Sequence, residues 1–394
     1  MPIARKISNA LGSQSMIRKM FEEGNRLKKE HGADNVFDFS LGNPDIEPPP
    51  AFHRVFLRLA REDRKGSHAY MPNAGYPEVR EALAAKASRE HGVPIDGSHV
   101  VMAVGAAGGL NVVFKSILDG GDEVIVPRPY FMEYRSYVDN HGGVLVEVDT
   151  RADFSLDLDA IKAALSPKTR AVLINSPNNP TGRVYPAGDI EALGTILAAH
   201  GAPYLISDEP YREISYDGIV VPPIFASYDN SIVVSSYSKS LSLPGERIGY
   251  VAVGPKARDR EELVNALIYA TRILGFVNAP ALMQRIVAEL TFARVDVDVY
   301  ARRRAAFTRI LDEAGISYAR PEGAFYLFCR VPPRKVSSGG DDERDFVELL
   351  KQRLVLGVPG SGFGKPGWIR FAYCVDEKII KAAGTAFKKI MESW

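Results

Sequence analysis

Cysteine is scarce in this chain: Cys329 and Cys374 are the two among 394 residues. They cannot build a disulfide framework, and they point to a reducing compartment. Net charge is nearly absent too, with 49 Lys and Arg against 48 Asp and Glu. A balance of +1 excludes a global field that would hold a nucleic acid or an anionic membrane. Long apolar runs are missing. The longest uncharged one, Val100 to Leu110, is too short and too rich in glycine to span a bilayer. Arg5, Lys6, Ser8, Asn9 and Gln14 interrupt the stretch from Met1 to Met16, so no secretory core is expected there, and a cytoplasmic location is the expectation. The seven histidines stand apart from one another and from both cysteines, so no metal site is expected.

What is present is the composition of an ordinary globular protein, 46% hydrophobic and 25% charged. A chain of this length suggests two or three lobes and should bury roughly 75% of its unfolded surface. Short β-branched runs occur at 100–104, 123–126, 144–148, 171–175, 204–207, 232–236 and 250–253. Helix-length segments such as 110–118, 131–140, 158–165 and 190–200 lie between them. This alternation predicts an α/β domain with a mostly parallel sheet covered on both faces. The ends read differently. Residues 16–31 form an amphipathic helix carrying Met16, Ile17, Met20 and Leu27, and the breaker run Pro48-Pro49-Pro50 follows. The chain closes on a helix whose apolar face carries Ile379, Ile380, Ala383, Phe387 and Ile390. Residues 1–47 and 291–394 are therefore expected to form one smaller α/β lobe beside a large domain over 48–290. Ser337 to Asp342 reads as a flexible surface loop.

Several signatures fail on context. Gly362-Phe363-Gly364-Lys365-Pro366-Gly367 has dinucleotide-loop spacing, but Pro366 and the strand-like Trp368-Ile369-Arg370-Phe371 follow where a helix should open. There is no G-x-S-x-G elbow, and the phosphate-loop spacing at Gly364-Lys365 lacks its hydroxyl residue. One constellation survives. Ser236-Tyr237-Ser238-Lys239 follows a buried run, with Arg247 eight residues on. A lone lysine after a strand is usually a solvated charge, yet the carboxyl end of a parallel strand is where α/β sheets bind ligands. Ser236 and Arg247 could both hold a phosphate. Upstream, Gly105-Ala106-Ala107-Gly108-Gly109 would let backbone N–H groups approach an anion, or simply let a helix pack closely. Asn175-Ser176-Pro177-Asn178-Asn179-Pro180-Thr181-Gly182 and Ser207-Asp208-Glu209-Pro210-Tyr211 stand at two further strand ends. Alone, these read as a turn and a helix cap.

In this order and spacing the motifs resemble the class I/II aminotransferases, aspartate aminotransferase-like enzymes of the fold-type-I pyridoxal-phosphate group. The resemblance runs from Leu41-Gly42-Asn43-Pro44-Asp45 to Arg370. It implies a three-layer fold with a mostly parallel central sheet and pyridoxal 5′-phosphate as cofactor. It also implies transfer of an amino group between an L-amino acid and a 2-oxo acid, with 2-oxoglutarate and glutamate as one pair. Lys239 would form the Schiff base with the cofactor aldehyde. Asp208 would pair with the pyridinium nitrogen, keeping the ring an electron sink. Tyr211 and Asn179 match the residues on the phenolic oxygen, and Ser236, Arg247 and the backbone of Gly105, Ala106 and Ala107 match the phosphate cup. Phe131 falls where an aromatic ring stacks on the pyridine, or is a core phenylalanine. Arg370 matches the clamp on the substrate α-carboxylate, with Gly42 closing the other side. Tyr70 matches a tyrosine that reaches the neighbouring subunit's phosphate, implying a homodimer with shared sites.

The chain departs from the family at Ala106 and Ala107, where many members carry hydroxyl or lysine side chains. A second arginine for a distal carboxylate is not identifiable; Arg135 and Arg272 are available, nothing more. A C–S lyase or amino-acid decarboxylase would use the same Lys, Asp and Arg and break a different Cα bond. A regulatory module and a nicotinamide-binding dehydrogenase are weaker alternatives.

Overall fold

All seven β-branched runs become strands of one sheet. They are β1 (Val100–Ala103), β2 (Glu123–Arg128), β3 (Val144–Asp149), β4 (Thr169–Asn175), β5 (Tyr204–Asp208), β6 (Ser231–Ser236) and β7 (Gly249–Val253). Their order across the sheet is β1-β7-β6-β5-β4-β2-β3. The pairs β2–β3, β2–β4, β4–β5 and β5–β6 are parallel, whereas β7 runs antiparallel to both β6 and β1. The sheet is mostly parallel, as expected. This computed structural model describes residues 3–4, 6–8, 16–334 and 341–394. The expected loop at Ser337–Gly340 lies outside them, as does most of the segment before Met16.

The central strands are apolar on both faces because both faces are covered. Val172, Leu173 and Ile174 in β4 are at most 1% exposed, and burying each such side chain contributes about 1.5–3 kcal/mol. One covering layer draws on Phe52, Leu83, Leu193 and Leu290. The other joins helix α2 (Gly105–Ile117) to α3 (Arg260–Ile273) through Leu110, Val113, Leu263 and Leu267. Here one expectation is corrected. Residues 105–109 are not a loop ahead of a helix at Leu110, because α2 begins at Gly105 itself. A Cβ on Gly109 would lie 2.8 Å from a Val234 methyl and 3.2 Å from one of Val251. That glycine lets the helix rest directly on β6 and β7.

A separate core joins the two chain ends. Met20, in helix α1 (Met16–His31), and Phe39 pack with Tyr300, Phe307, Phe325, Phe328, Phe371 and Phe387. Phe39 meets Phe307, on helix α4 (Val297–Glu313), at 4.7 Å between ring centroids. Beside them lies an antiparallel sheet, β8 (Tyr318–Ala319), β9 (Tyr326–Arg330), β10 (Val358–Pro359) and β11 (Trp368–Ala372), ordered β10-β11-β9-β8. Three further expectations are corrected. The closing helix is two helices, Glu377–Ala382 and Gly384–Ser393, and Ile379 faces solvent. Asp341 and Asp342 are not loop: the Asp341 carboxylate accepts from the Arg344 N–H and caps the helix Asp342–Gln352. Pro50 does not break the chain but opens the helix Pro50–Arg61, where its missing N–H is not needed. The Gly362–Gly367 segment spans a single 3₁₀ turn and the approach to β11, with no helix after it. Among the described residues no helix is long and apolar enough to cross a membrane.

One of the seams between the two sheets runs through Gly182. The Gly182 carbonyl accepts from the N–H groups of Glu322 (2.9 Å) and Gly323 (2.8 Å). Gly182 has φ +72°, and a Cβ there would lie 2.5 Å from Pro321 Cβ, so a side chain would force this turn apart.

Candidate active site

Three parallel strands end at one place. The carboxyl ends of β4, β5 and β6 deliver Asn175, Asp208 and Ser236 to a cavity of about 320 Å³. Directly after β6, the short helix Tyr237–Ser240 turns Lys239 into the same space. Helix α2 contributes Ala106 and Ala107, the small antiparallel sheet contributes Tyr326 and Arg370, and Gly42, Phe131, Asn179, Tyr211 and Arg247 complete the wall. Eleven of the thirteen expected site residues therefore line one cavity: Gly42, Ala106, Ala107, Phe131, Asn179, Asp208, Tyr211, Ser236, Lys239, Arg247 and Arg370. Gly105 adjoins it through Arg247. At φ +69° it has no side chain, and a Cβ would stand 2.6 Å from the Arg247 Nη2. Tyr70 is elsewhere. It is 90% exposed and lines a separate surface hollow with His68 and Asn278.

The charges here are set by burial. Asp208 Oδ2 accepts a hydrogen bond from the Tyr134 hydroxyl at 2.5 Å, while Oδ1 is buried without a partner. Burial raises this carboxyl to about 7, the Tyr134 bond opposes the rise and the neighbouring Glu209 charge adds to it. Lys239 Nζ donates to the Gly42 carbonyl at 2.6 Å. Burial lowers the amine to about 8; Cys374 opposes this, and the Arg370 and Arg247 charges add to it. Arg370, 1% exposed, donates through Nη1 to Asn179 Oδ1 at 3.0 Å and through Nη2 to the Ser40 carbonyl at 2.6 Å. Its guanidinium lies 4.5 Å from the Tyr326 ring centroid and 4.9 Å from that of Phe363, and its Nε has no partner. The Tyr211 and Tyr326 hydroxyls share a 2.8 Å hydrogen bond. A Cβ on Gly42 would come within 2.0 Å of the Tyr326 hydroxyl, so glycine is what lets that segment pass.

Sequence reasoning missed other wall residues, Tyr134, Asn175, Tyr326 and Glu133 among them. Tyr134, three positions after Phe131, could have been found by asking what partners a buried Asp208. Asn175 opens a run already singled out, and here its Nδ2 donates to the Asp208 carbonyl while its Oδ1 accepts from the Asn179 N–H. Tyr326 stands in no motif, and Glu133 lies inside the helix-length segment 131–140 with nothing to mark it. Neither arginine available for a distal carboxylate lines the cavity of its own chain. Arg135 pairs with Glu147 outside the cavity, and Arg272 lies exposed on α3.

Residues 34–387 match the family described as aminotransferase class I and II. The chain belongs to that family. It is 33% identical to the aspartate/prephenate aminotransferase of Thermus thermophilus over 373 residues, covering 92% of each chain. It superimposes on an aminotransferase from Eubacterium rectale with a TM-score of 0.93 at 40% identity, covering 100% of this chain and 99% of that one. An aspartate aminotransferase from Thermus thermophilus, solved with maleate, gives 0.88 at 30% identity, covering 99% and 100%. The protein is thus a pyridoxal-phosphate-dependent aminotransferase acting on amino acids and 2-oxo acids. The cavity fits the cofactor on its own chemistry. The unpartnered Asp208 Oδ1 suits a protonated ring nitrogen, and the side-chain-free cradle at Gly105 beside Arg247 suits a phosphate.

Proposed function

We propose that Lys239 anchors the cofactor aldehyde covalently and that Asp208 Oδ1 accepts from the ring nitrogen. The observation that carries this reading is the presence in one buried cavity of a lysine lowered to about 8 and a carboxylate oxygen without a partner. Ser236, Arg247 and the first N–H groups of α2 hold the phosphate, Phe131 covers one face of the ring, and Tyr211 and Asn179 bond its phenolic oxygen. Arg370 grips the substrate α-carboxylate with two parallel N–H···O bonds, supported by its own bonds to Asn179 and Ser40.

When bound, the cofactor ring withdraws the electron pair left at the substrate Cα. The chain's residues do the rest. Lys239 Nζ, once an amino substrate has taken its place, would hold and move the proton at the substrate Cα, first as general base and then as general acid. Asp208 keeps the ring nitrogen protonated, and Tyr134 keeps Asp208 oriented. Glutamate and 2-oxoglutarate form one donor–acceptor pair on this reading. The active unit is a cytoplasmic homodimer in which Tyr70 of each chain reaches the other's phosphate. The support is that Tyr70 is 90% exposed and its hydroxyl makes no hydrogen bond among the described residues of its own chain. The lobes divide near residues 47 and 290, supported by the core that unites Met20 and Phe39 with the carboxyl-terminal segment.

A panel of amino donors against 2-oxoglutarate, followed by loss of the cofactor's visible absorbance, tests the reading. Complete turnover with a 2-oxo acid acceptor supports it. Ammonia or carbon dioxide as the product would favour a C–S lyase or a decarboxylase instead.

A further inference from the structure

Five charged side chains face the cavity: Lys239, Asp208, Arg247, Arg370 and Glu133. Four have a task in the reading above. Glu133 has none. It is half-buried at the first residue of the helix Glu133–Asn140, just past Phe131, and makes no hydrogen bond or ion pair among the described residues. Its charge, after burial, helps raise the phenol of Tyr137 one turn on. The same cavity wall carries the aliphatic Leu41, Leu110 and Pro244. Helix α2 adds Ala106 and Ala107, which carry no donor side chain. A distal carboxylate entering this space meets a like charge that has a helix N-terminus behind it but no ion-pair partner among the described residues. An aliphatic stem ending in a cation meets an apolar wall and then a counter-charge.

We propose that Glu133 determines specificity: the cavity favours an amino acid whose aliphatic side chain ends in an ammonium or guanidinium group. The inference rests on the reading that Arg370 takes the α-carboxylate, which fixes the substrate's other end. Glutamate and 2-oxoglutarate then react against the Glu133 charge, with raised KM.

Three unreactive carboxylates with a five-carbon chain test this: 5-guanidinopentanoate, pentanoate and glutarate. None has a primary amine, so calorimetric titration into the holoenzyme reads binding alone. The wild type should bind 5-guanidinopentanoate tightest and glutarate weakest, with a span of about tenfold or more. Glu133→Gln should bring the two within about twofold of each other, because the charge is gone and the shape is kept. Unchanged pentanoate affinity in that variant checks the fold. If Glu133→Gln does not fold, the wild-type order decides. Equal or tighter binding of glutarate by the wild type, as when a cation of the partner subunit meets the distal group, overturns the proposal. So does a ratio that Glu133→Gln leaves unchanged. Failure of the Arg370 assignment looks different: pentanoate affinity would not change in Arg370→Lys, whatever the Glu133 ratio.

Discussion

Lys239 donates its hydrogen bond to Gly42, a carbonyl 197 residues away in the chain. The reactive amine is thus held between the end of a central strand and the segment that enters the smaller core. Burial sets its proton affinity near pH 8, within reach of neutral conditions.

The first prediction concerns that amine. Capture of pyridoxal phosphate by the cofactor-free protein should quicken with pH, with a midpoint at about 8, since only the neutral amine attacks. A stopped-flow absorbance profile measures it, and a midpoint near the ordinary lysine value would remove the lowered amine. Lys239→Ala should abolish turnover, and borohydride trapping with peptide mapping should mark Lys239 alone.

Asp208 ties stability to pH in a direction that can be checked. Its carboxyl is raised to about 7 from 3.8, so the cofactor-free folded state binds its proton more tightly than the unfolded state does. That contribution is present below pH 3.8 and is lost as pH rises through about 7. Asp208→Asn should therefore match the wild type near pH 4 and exceed it at pH 8, by at most about 4 kcal/mol. Urea midpoints of the cofactor-free proteins decide this. The same variant should transaminate at least about a hundredfold more slowly, as the ring nitrogen loses its counter-charge.

Arg370→Lys should raise KM for every amino donor by at least about tenfold while cofactor affinity stays within about twofold. A point charge cannot reproduce the fork that spans Asn179 and Ser40. Steady-state kinetics beside a cofactor titration separate the two effects, and an unchanged KM would make Arg370 merely structural.

Gly105→Ala places a Cβ 2.6 Å from Arg247 Nη2 on backbone at φ +69°. The left-handed conformation alone costs about 1–2 kcal/mol. Pyridoxal phosphate affinity should fall by about tenfold or more, whereas pyridoxal, which lacks the phosphate, should bind nearly as before. An equal loss for both would show general distortion.

Shared sites predict complementation. Lys239→Ala and Tyr70→Ala chains should each be weakly active. After subunit exchange one site in each mixed dimer regains both residues, so activity should reappear. With exchange confirmed by mass, no recovery would place Tyr70 in its own chain's function or in none.

The strands were legible because each is a short β-branched run between breakers, and the strand ends carry the site. The motifs at Asn175–Gly182, Asp208–Tyr211 and Ser236–Lys239 follow directly. What could not be read was lateral. Tyr134 matters because its hydroxyl reaches Asp208 at the end of β5, and Tyr326 because β9 pairs with β11 and its ring lies against the Arg370 guanidinium. Those neighbours are set by packing between elements distant in sequence. The start of α2 was misread for a local reason: glycines at 105, 108 and 109 lower helix propensity, and close contact with β6 and β7 overrides it.

The Gly182 seam has a thermal consequence. Residues 105–247 supply every group assigned to the cofactor in its own chain, whereas Gly42 and Arg370 arrive from beyond the seam. Heat that parts the two sheets there should leave a coloured protein that has lost its grip on the α-carboxylate. Substrate saturation would then fade at a lower temperature than the yellow of the bound vitamin, and the interval between the two would gauge how firmly the seam as a whole, Gly182 with the Ile214–Ala324 and Tyr216–Glu322 backbone bonds, holds the sheets together.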